Sequence, residues 1–343
     1  MNTILEALSR VTRREDLPRP LAASVMRELM TGEATPAQVG ALLAGLRTKG
    51  ETIEEISGFA ETMRELATPI HTRRHPIVDT CGTGGDHSGT FNISTTSAFV
   101  VAGAGVAVAK HGNRSASSIC GSADVLEALG VNLSATAEQV GQCIDEIGIG
   151  FLFARSLHTA MKHVAPIRAE LKVRTVFNLL GPLTNPARAD AQVVGVFDAN
   201  LAAPLAQVLL NLGVRHAFVV AGADGLDEIT LSGPTTVAEA RDGAVETYIV
   251  EPAIFGCDTA PKSVLIGGDA AANAAILRGV LEGKPGPHRD VVLMNAAAAL
   301  VAAASAESLQ DGFEKAAAAI DSGAALAKLE HLARLTNEMG AGA

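Results

Sequence analysis

The sequence predicts an α/β fold, in which a mainly parallel sheet is flanked by helices, together with a smaller all-helical domain. Two observations lead to this prediction. From residue 77 onward, short apolar runs typical of buried strands alternate with helical segments, and such alternation is typical of parallel sheets covered on both faces. The first 70 residues, in contrast, contain only helical patterns.

Composition supports a large core and limits the classes of partner. The chain has 343 residues, is 48% hydrophobic and carries a formal net charge of −10. The length allows about two domains. Because there is no Trp and only one Tyr, small apolar residues must fill much of the core. The negative charge argues against nucleic acid as the main partner, so local cations and a metal would have to bind any phosphate ligand.

The cysteines and the apolar runs indicate a reduced compartment. No Cys-x-x-Cys pair occurs, and no sustained apolar segment precedes the arginines near the N-terminus. The longest apolar run, over 99–109, is too short to cross a bilayer. We therefore expect a cytoplasmic protein that does not associate with membranes. Its scattered cysteines are expected to be buried thiols, namely Cys81, Cys120, Cys143 and Cys257.

Helix-capping patterns define the N-terminal region. Thr35 and Gln38 form a capping box around a first-turn proline, and Thr52 and Glu55 form a second one. Apolar residues at helical spacing follow each box, and a further helix is predicted over 21–29. These helices contain no cluster of residues typical of a catalytic or binding site. We therefore expect them to have a packing role, including packing against a second copy of the chain.

The remaining elements follow from apolar runs and their punctuation. The predicted strands cover 77–78, 106–109, 149–153, 193–197, 217–220 and 291–294, and the predicted helices cover 97–102, 124–129, 136–147, 201–212, 296–304, 309–320 and 324–335. Prolines and a glycine punctuate the segment between 153 and 187, which suggests a crossing to the helical domain and back. The predicted helical domain therefore comprises 1–70 and about 165–187, and the α/β domain comprises 71–164 and 188–343.

Four polar features lie close together between residues 79 and 124. A glycine turn over 82–86 follows a strand, and Ser94 and Thr95 fall near a helix N-terminus, where free amides favour an anion. A second strand leads into a basic segment over 110–114, and a serine-rich loop follows. Each feature alone has an ordinary explanation: a turn, an N-cap or a solvated pair of basic residues. Their conjunction predicts a phosphate cradle at the carboxyl edge of the sheet.

Two further positions depend on this context. Asp227 and Glu228 follow a predicted strand, so they should lie at the same edge as the glycine turn. Taken alone, such a pair is usually a solvated turn, but beside phosphates its oxygens suit Mg²⁺. Arg168 lies in a helix-like segment, and its spacing alone favours a surface arginine.

The motifs GTGGD, NIST, KHGNRSASS and GSAD resemble, in order and spacing, the signature of the anthranilate phosphoribosyltransferase family. The resemblance covers nearly the whole chain and implies a nucleoside phosphorylase/phosphoribosyltransferase-like fold. It implies transfer of phosphoribose from 5-phosphoribosyl 1-pyrophosphate (PRPP) to anthranilate in tryptophan biosynthesis, giving N-(5-phosphoribosyl)anthranilate and pyrophosphate. It also implies Mg²⁺ as cofactor and a homodimer formed through the helical domain.

The resemblance implies three sets of site residues, without a covalent nucleophile or a strong general base. Anthranilate would contact Gly82, His111, Asn113 and Arg168. PRPP would contact Gly82, Gly85, Asp86, Thr90, Asn92, Ser94, Thr95, Lys110, Gly112, Asn113, Arg114, Ser115, Ser117, Ser118 and Ser122. Mg²⁺ would be positioned by Ser94, Asp227 and Glu228. One departure is visible, because Lys172 stands where the family often has glycine.

Two alternatives remain open from the sequence. A pyrimidine nucleoside phosphorylase shares the fold, but the KHGNR segment and the Arg168 segment favour the anthranilate enzyme. A nucleic-acid-binding relative of the same fold would be expected to carry a basic face, which the net charge of −10 disfavours.

Overall fold

The structure, a computed structural model, describes residues 3–115 and 119–341. Its strands are β1 (Ile77–Gly82), β2 (Ala107–Gly112), β3 (Ile149–Phe153), β4 (Ala191–Gly195), β5 (His216–Gly222), β6 (Thr235–Arg241) and β7 (Ala244–Val250). Its helices are α1 (Thr3–Val11), α2 (Arg19–Thr31), α3 (Pro36–Lys49), α4 (Ile53–Leu66), α5 (Ile93–Gly103), α6 (Ser122–Ala128), α7 (Ala137–Ile147), α8 (Ala154–Leu157), α9 (Ala165–Leu171), α10 (Phe177–Leu180), α11 (Ala202–Asn211), α12 (Ala270–Leu281), α13 (Pro287–Ala302), α14 (Leu309–Asp321) and α15 (Ala324–Ala341).

The strands form one mixed sheet in the order β3-β2-β1-β4-β5-β6-β7. The first five strands in this order are parallel to their neighbours, whereas β6 and β7 continue the sheet as antiparallel strands. The predicted mainly parallel sheet is therefore confirmed. Because the parallel strands run in one direction, β1, β2, β4 and β5 all end at the same edge.

Both faces of the five parallel strands are buried, and successive strand residues serve opposite faces. On β4, Val193 packs into the cluster that contains α5 and α13, while Val194 packs into the cluster that contains α11. On β5, Phe218 packs into the first of these clusters and Val219 into the second. The second cluster also contains the apolar stripes of α1 to α4, so the core of the N-terminal helices continues into one face of the sheet.

The N-terminal helices form as their caps predict. Both capping boxes are present, with Thr35 accepting a hydrogen bond from the amide of Gln38 and Thr52 accepting one from the amide of Glu55. Helix α9 packs near α3, where a β-carbon at Gly40 would lie 4.0 Å from side-chain atoms of α9. No helix within 3–115 and 119–341 is long and apolar enough to cross a membrane.

Two sequence expectations for the C-terminal half need correction. The strand predicted over 291–294 is wrong, because these residues lie inside α13, which is buried on nearly every side. A helix that is apolar all round gives the same short apolar run as a buried strand. The hairpin of β6 and β7 was not predicted, although its two-residue turn, Asp242-Gly243, has the left-handed conformation that an Asp-Gly pair favours.

Candidate active site

The carboxyl ends of β1, β2 and β5 build the candidate active site. The glycine turn over 82–86 extends from β1, the basic segment extends from β2, and Asp227 and Glu228 follow β5. The predicted shared edge is realised, since the amide of Gly84 donates a hydrogen bond to Oδ2 of Asp227 at 2.9 Å.

The two carboxylates at this edge are partly or fully buried and close to the start of α5. Oε1 of Glu228 accepts a hydrogen bond from the amide of Ser94 at 3.1 Å, at the positive end of the helix. Removal from water, followed by the negative charge of Asp86, raises the pKa of Asp227. Removal from water and the charge of Asp227 likewise raise the pKa of Glu228. These shifts indicate that burial and mutual repulsion destabilise the ionised carboxylates, and a cation would stabilise them.

The donor set fits Mg²⁺ better than a metal held by protein ligands alone. Among the described residues no group of three His, Cys, Asp or Glu forms a metal cage. Mg²⁺ is usually held by one or two carboxylates and keeps waters or substrate phosphates as its other ligands. Oδ2 of Asp86 is also buried and has no hydrogen-bond partner among the described atoms. Asp227 and Glu228, with Ser94 joined to Glu228 through its amide, are therefore suitable for a substrate-bound Mg²⁺.

Two glycines leave the space in which Asp227 lies. A β-carbon at Gly82 would lie 2.4 Å from Oδ2 of Asp227, and one at Gly195 would lie 1.5 Å from its backbone oxygen. Side chains cannot occupy either position without displacing the segment that carries the carboxylate. Gly82, the first glycine of the GTGGD motif, therefore leaves room for the Asp227 carboxylate as well as forming part of the turn.

Lys110 brings a buried cation to the same edge. Its side chain is 3% exposed, and Nζ donates hydrogen bonds to the carbonyl of Thr80 and, at 3.5 Å, to Oγ of Ser94. A lysine at the end of a strand is usually solvated, but Lys110 is buried. The ammonium group faces the start of α5, and its charge favours the ionised form of Glu228.

A buried carboxylate that sequence reasoning missed fixes the end of β2. Oδ1 of Asp79 accepts a hydrogen bond from the amide of His111 at 3.0 Å, and Oδ2 accepts one from Asn185 at 2.8 Å. Burial raises the pKa of Asp79, and the charge of Lys110 opposes this rise. The signal was available, because an aspartate inside a buried strand requires partners.

His111 is buried and electrically neutral near pH 7. Nδ1 contacts the carbonyl of Gly181 at 3.1 Å, and Nε2 contacts Nε2 of His158 at 3.2 Å. Burial, followed by the repulsion of His158, lowers the pKa of His111 to about 3. Burial lowers the pKa of His158 to about 4. A neutral imidazole with this geometry can orient a ligand but does not supply positive charge.

The loop after β2 is held by its own residues. The hydroxyl of Ser122 accepts a hydrogen bond from the amide of Asn113 at 3.1 Å, and a β-carbon at Gly112 would lie 2.2 Å from that hydroxyl. Arg114 pairs with Asp124 at 2.8 Å and with Glu127 at 2.9 Å. The predicted PRPP role of Arg114 therefore has to coexist with two carboxylate partners. Ser115 is described, whereas Ser117 and Ser118 lie outside the described residues.

The remaining predicted PRPP residues surround the start of α5. Asn92 is the N-cap residue of α5, and its Oδ1 accepts a hydrogen bond from Asn273 at 3.0 Å. Thr95 is buried in the first turn, which confirms its expected place near a helix N-terminus. Thr90 forms an isolated antiparallel β-bridge with Ile266. No motif or spacing in the sequence links Asn273 to this site.

Arg168 lies on α9, beside an aromatic ring. Its guanidinium carbon is 5.1 Å from the ring centroid of Phe177, and burial lowers its pKa. Within the described part of the chain this guanidinium makes no ion pair with a carboxylate, which leaves its donors available to one from a ligand. Phe177 begins α10, and Gly181 directly after α10 contacts His111. Arg168 is therefore connected to the sheet edge through a short stretch of chain.

Comparisons with known proteins agree with this geometry. Residues 5–67 match the helical bundle domain of a glycosyl transferase family, and residues 74–326 match its a/b domain. The anthranilate phosphoribosyltransferase of Symbiobacterium thermophilum is 60% identical over 334 residues, covering 97% of this chain and 98% of that protein. The chain belongs to the anthranilate phosphoribosyltransferase family.

Solved structures of anthranilate phosphoribosyltransferases have the same fold. The enzyme from Thermus thermophilus is 47% identical and superimposes with a TM-score of 0.92, covering 98% of this chain and all of that one. The Saccharomyces cerevisiae enzyme in complex with PRPP and Mg is 28% identical, with a TM-score of 0.90 and 98% coverage of each chain. The predicted family, the fold class and the assignment as an enzyme of this family are confirmed. The individual site residues and the division into domains remain predictions.

Proposed function

We propose that this chain transfers the phosphoribosyl group of PRPP to anthranilate, giving N-(5-phosphoribosyl)anthranilate and pyrophosphate. The observation that carries the proposal is the meeting of Asp227, Glu228, Lys110 and the glycine turn at one sheet edge, in a chain of this family. Carboxylates for a metal, a buried cation and a glycine turn together suit a diphosphate leaving group better than any neutral ligand.

Binding of the donor is assigned to the residues that surround this edge. We infer that Asp227 and Glu228, with Ser94, hold Mg²⁺, which supplies positive charge to the departing pyrophosphate when it is bound. The amides of Gly84 and Ser94 donate to Asp227 and Glu228, and we assign the phosphates to other amides of the glycine turn and of the first turn of α5. The donor residues proposed are Gly82, Gly85, Asp86, Thr90, Asn92, Ser94, Thr95, Lys110, Gly112, Asn113, Arg114, Ser115, Ser117, Ser118 and Ser122.

Binding of the acceptor is assigned to the segment between β2 and α10. A guanidinium can hold a carboxylate through two parallel hydrogen bonds, so Arg168 would orient the carboxylate of anthranilate. Its position over the Phe177 ring limits the orientations that the guanidinium can take. Gly82, His111 and Asn113 would line the remainder of the acceptor site.

The chemical step requires positioning and charge more than proton transfer. The amine nitrogen forms a bond to the anomeric carbon of ribose while the bond from that carbon to the pyrophosphate oxygen breaks. The sugar develops positive character, as in glycoside transfer, and negative charge accumulates on the leaving group near Lys110. An aromatic amine is neutral near pH 7, so it attacks without first losing a proton. After the new bond has formed, the nitrogen releases one proton to the departing pyrophosphate or to solvent. The depressed pKa of His111 agrees with an orienting role rather than with that of a base.

The arrangement of the domains completes the proposal. We expect residues 1–70 and about 165–187 to act as one helical domain, which carries the contact in a homodimer and moves toward the sheet edge to exclude water. The apolar side chain of Leu5 on α1 is 51% exposed, as a residue at such a contact would be in the single chain. Measurement of the molecular mass in solution tests whether the chain forms a dimer. A cytoplasmic location is also part of the proposal.

The proposed reaction is tested by measuring pyrophosphate release from PRPP with Mg²⁺, with and without anthranilate. We expect rapid release only when anthranilate is present, with one equivalent of anthranilate consumed per pyrophosphate. Inorganic phosphate and a pyrimidine nucleoside, supplied in place of PRPP and anthranilate, test the phosphorylase alternative. Release that does not depend on anthranilate would contradict the proposal.

A further inference from the structure

Arg174 lies on the chain between the two proposed substrate sites. It follows α9, six residues after Arg168, and precedes α10. Lys172 ends α9 in a left-handed conformation, so the chain turns sharply between the two arginines. The sequence offered no signal for Arg174, because no spacing or motif links it to the glycine turn.

The guanidinium of Arg174 contacts the donor turn and an aromatic ring at the same time. Nη2 donates a hydrogen bond to the carbonyl oxygen of Gly85. The guanidinium carbon is 3.9 Å from the ring centroid of Phe197, in the segment that follows β4. Stacking at this distance fixes the plane of the guanidinium, and a fixed plane directs its N–H groups. The hydrogen bond therefore comes from a donor with little rotational freedom.

The glycine turn is held from two sides by side chains of different segments. On one side the amide of Gly84 donates to Asp227, and on the other side the carbonyl of Gly85 accepts from Arg174. Gly85 has φ of +78°, in the left-handed region, and a β-carbon there would lie 3.2 Å from Nη2 of Arg174. A turn of glycines has many accessible conformations, and two directional contacts on adjacent residues select one of them.

We propose that Arg174 is a positioning residue for the donor site, which orients the glycine turn at Gly85 from the segment that also carries Arg168. This inference rests on the proposed function, because the turn is a donor site only if PRPP is the donor. Arg174 does not have to contact PRPP in this role. It presents the amides of the turn to the pyrophosphate, and Phe197 supports it.

The test compares Arg174→Gln, Arg174→Lys and Phe197→Leu with the unaltered chain. We expect Arg174→Gln to raise the KM for PRPP by about tenfold or more, the effect of losing a hydrogen bond from a charged donor, while the KM for anthranilate stays the same. Lysine keeps the charge but cannot stack in a plane, so Arg174→Lys should also raise the KM for PRPP. Phe197→Leu should act in the same direction and less strongly.

Arg74 provides a matched control. Its Nε also donates to a backbone carbonyl, that of Asp145, at 2.9 Å, but it precedes β1 at the opposite edge of the sheet. Arg74→Gln should leave both KM values unchanged, and melting temperatures of all variants separate kinetic effects from loss of stability. An unchanged KM for PRPP in Arg174→Gln, or a wild-type value in Arg174→Lys, would overturn the inference. Turnover by the unaltered chain tests the proposed function separately, since it does not depend on these ratios.

Discussion

Gly82→Ala tests whether the carboxylate of Asp227 has to be placed accurately. A β-carbon at Gly82 would lie 2.4 Å from Oδ2 of Asp227, whereas ordinary contact begins at 3.4 Å. The carboxylate must therefore move by about 1 Å, the difference between these two distances. The φ angle of Gly82 is not in the left-handed region, so the backbone itself accepts alanine without strain. A displacement of about 1 Å can reduce a catalytic rate by about 100-fold.

The assay is pyrophosphate release at saturating PRPP and anthranilate, over a series of Mg²⁺ concentrations. We expect kcat to fall by about 100-fold in Gly82→Ala and half-maximal activity to require more Mg²⁺. Gly40→Ala on α3 is the control, because its β-carbon would meet only ordinary contacts, at 4.0 Å. That variant should gain about 1 kcal/mol of stability from helix propensity without a change in kcat. Unchanged kcat and Mg²⁺ requirement in Gly82→Ala would refute the reasoning.

Four further tests, with substitutions at five residues, address other parts of the molecule. Arg168→Ala should raise the KM for anthranilate more than the KM for PRPP, and equal effects on both would remove its carboxylate role. Replacement of Asp227 and Glu228 by amides should demand much more Mg²⁺ for activity, whereas an unchanged requirement would mean that the pair is only a turn. The folded-state pKa of His111 is lowered to about 3, so folding stability should be lost as pH falls below the ordinary pKa of 6.5. The melting temperature of His111→Asn should therefore fall less between pH 7.5 and pH 5 than that of the unaltered chain. An equal fall in both proteins would contradict this prediction. Lys172 has a φ of 51°, in the left-handed region that favours glycine, so Lys172→Gly should raise the free energy of unfolding in urea titrations by about 1 kcal/mol. A decrease in the free energy of unfolding would show that the lysine side chain contributes more stability than the strain costs.

The sequence predicted those parts of the fold whose local pattern and final environment agree. The capping boxes before α3 and α4 form as predicted, because their hydrogen bonds join residues three apart and need no tertiary partner. The segment over 291–294 was assigned to a strand because its apolar run is equally suited to a buried helix. Burial on every side removes the periodicity that distinguishes the two.

The candidate site shows the same distinction between local and distant partners. Asp227 was expected beside the glycine turn because parallel strands place their carboxyl ends at one edge, and this inference needs only strand order. The contacts of Asp79 with Asn185 and of Arg174 with Gly85 join residues separated by 106 and 89 positions, respectively. Nothing in the sequence near either residue specifies such a partner, so these contacts become visible only in the folded chain.

The most direct test of the proposed site is a crystal structure of this protein with PRPP and Mg²⁺ bound. We expect the pyrophosphate at the carboxyl edge of the sheet, between the glycine turn and Lys110. Mg²⁺ should be bound to Asp227 or Glu228, either directly at about 2.1 Å or through a coordinated water. A pyrophosphate located away from this edge, or a metal without contact to either carboxylate, would contradict the proposed site.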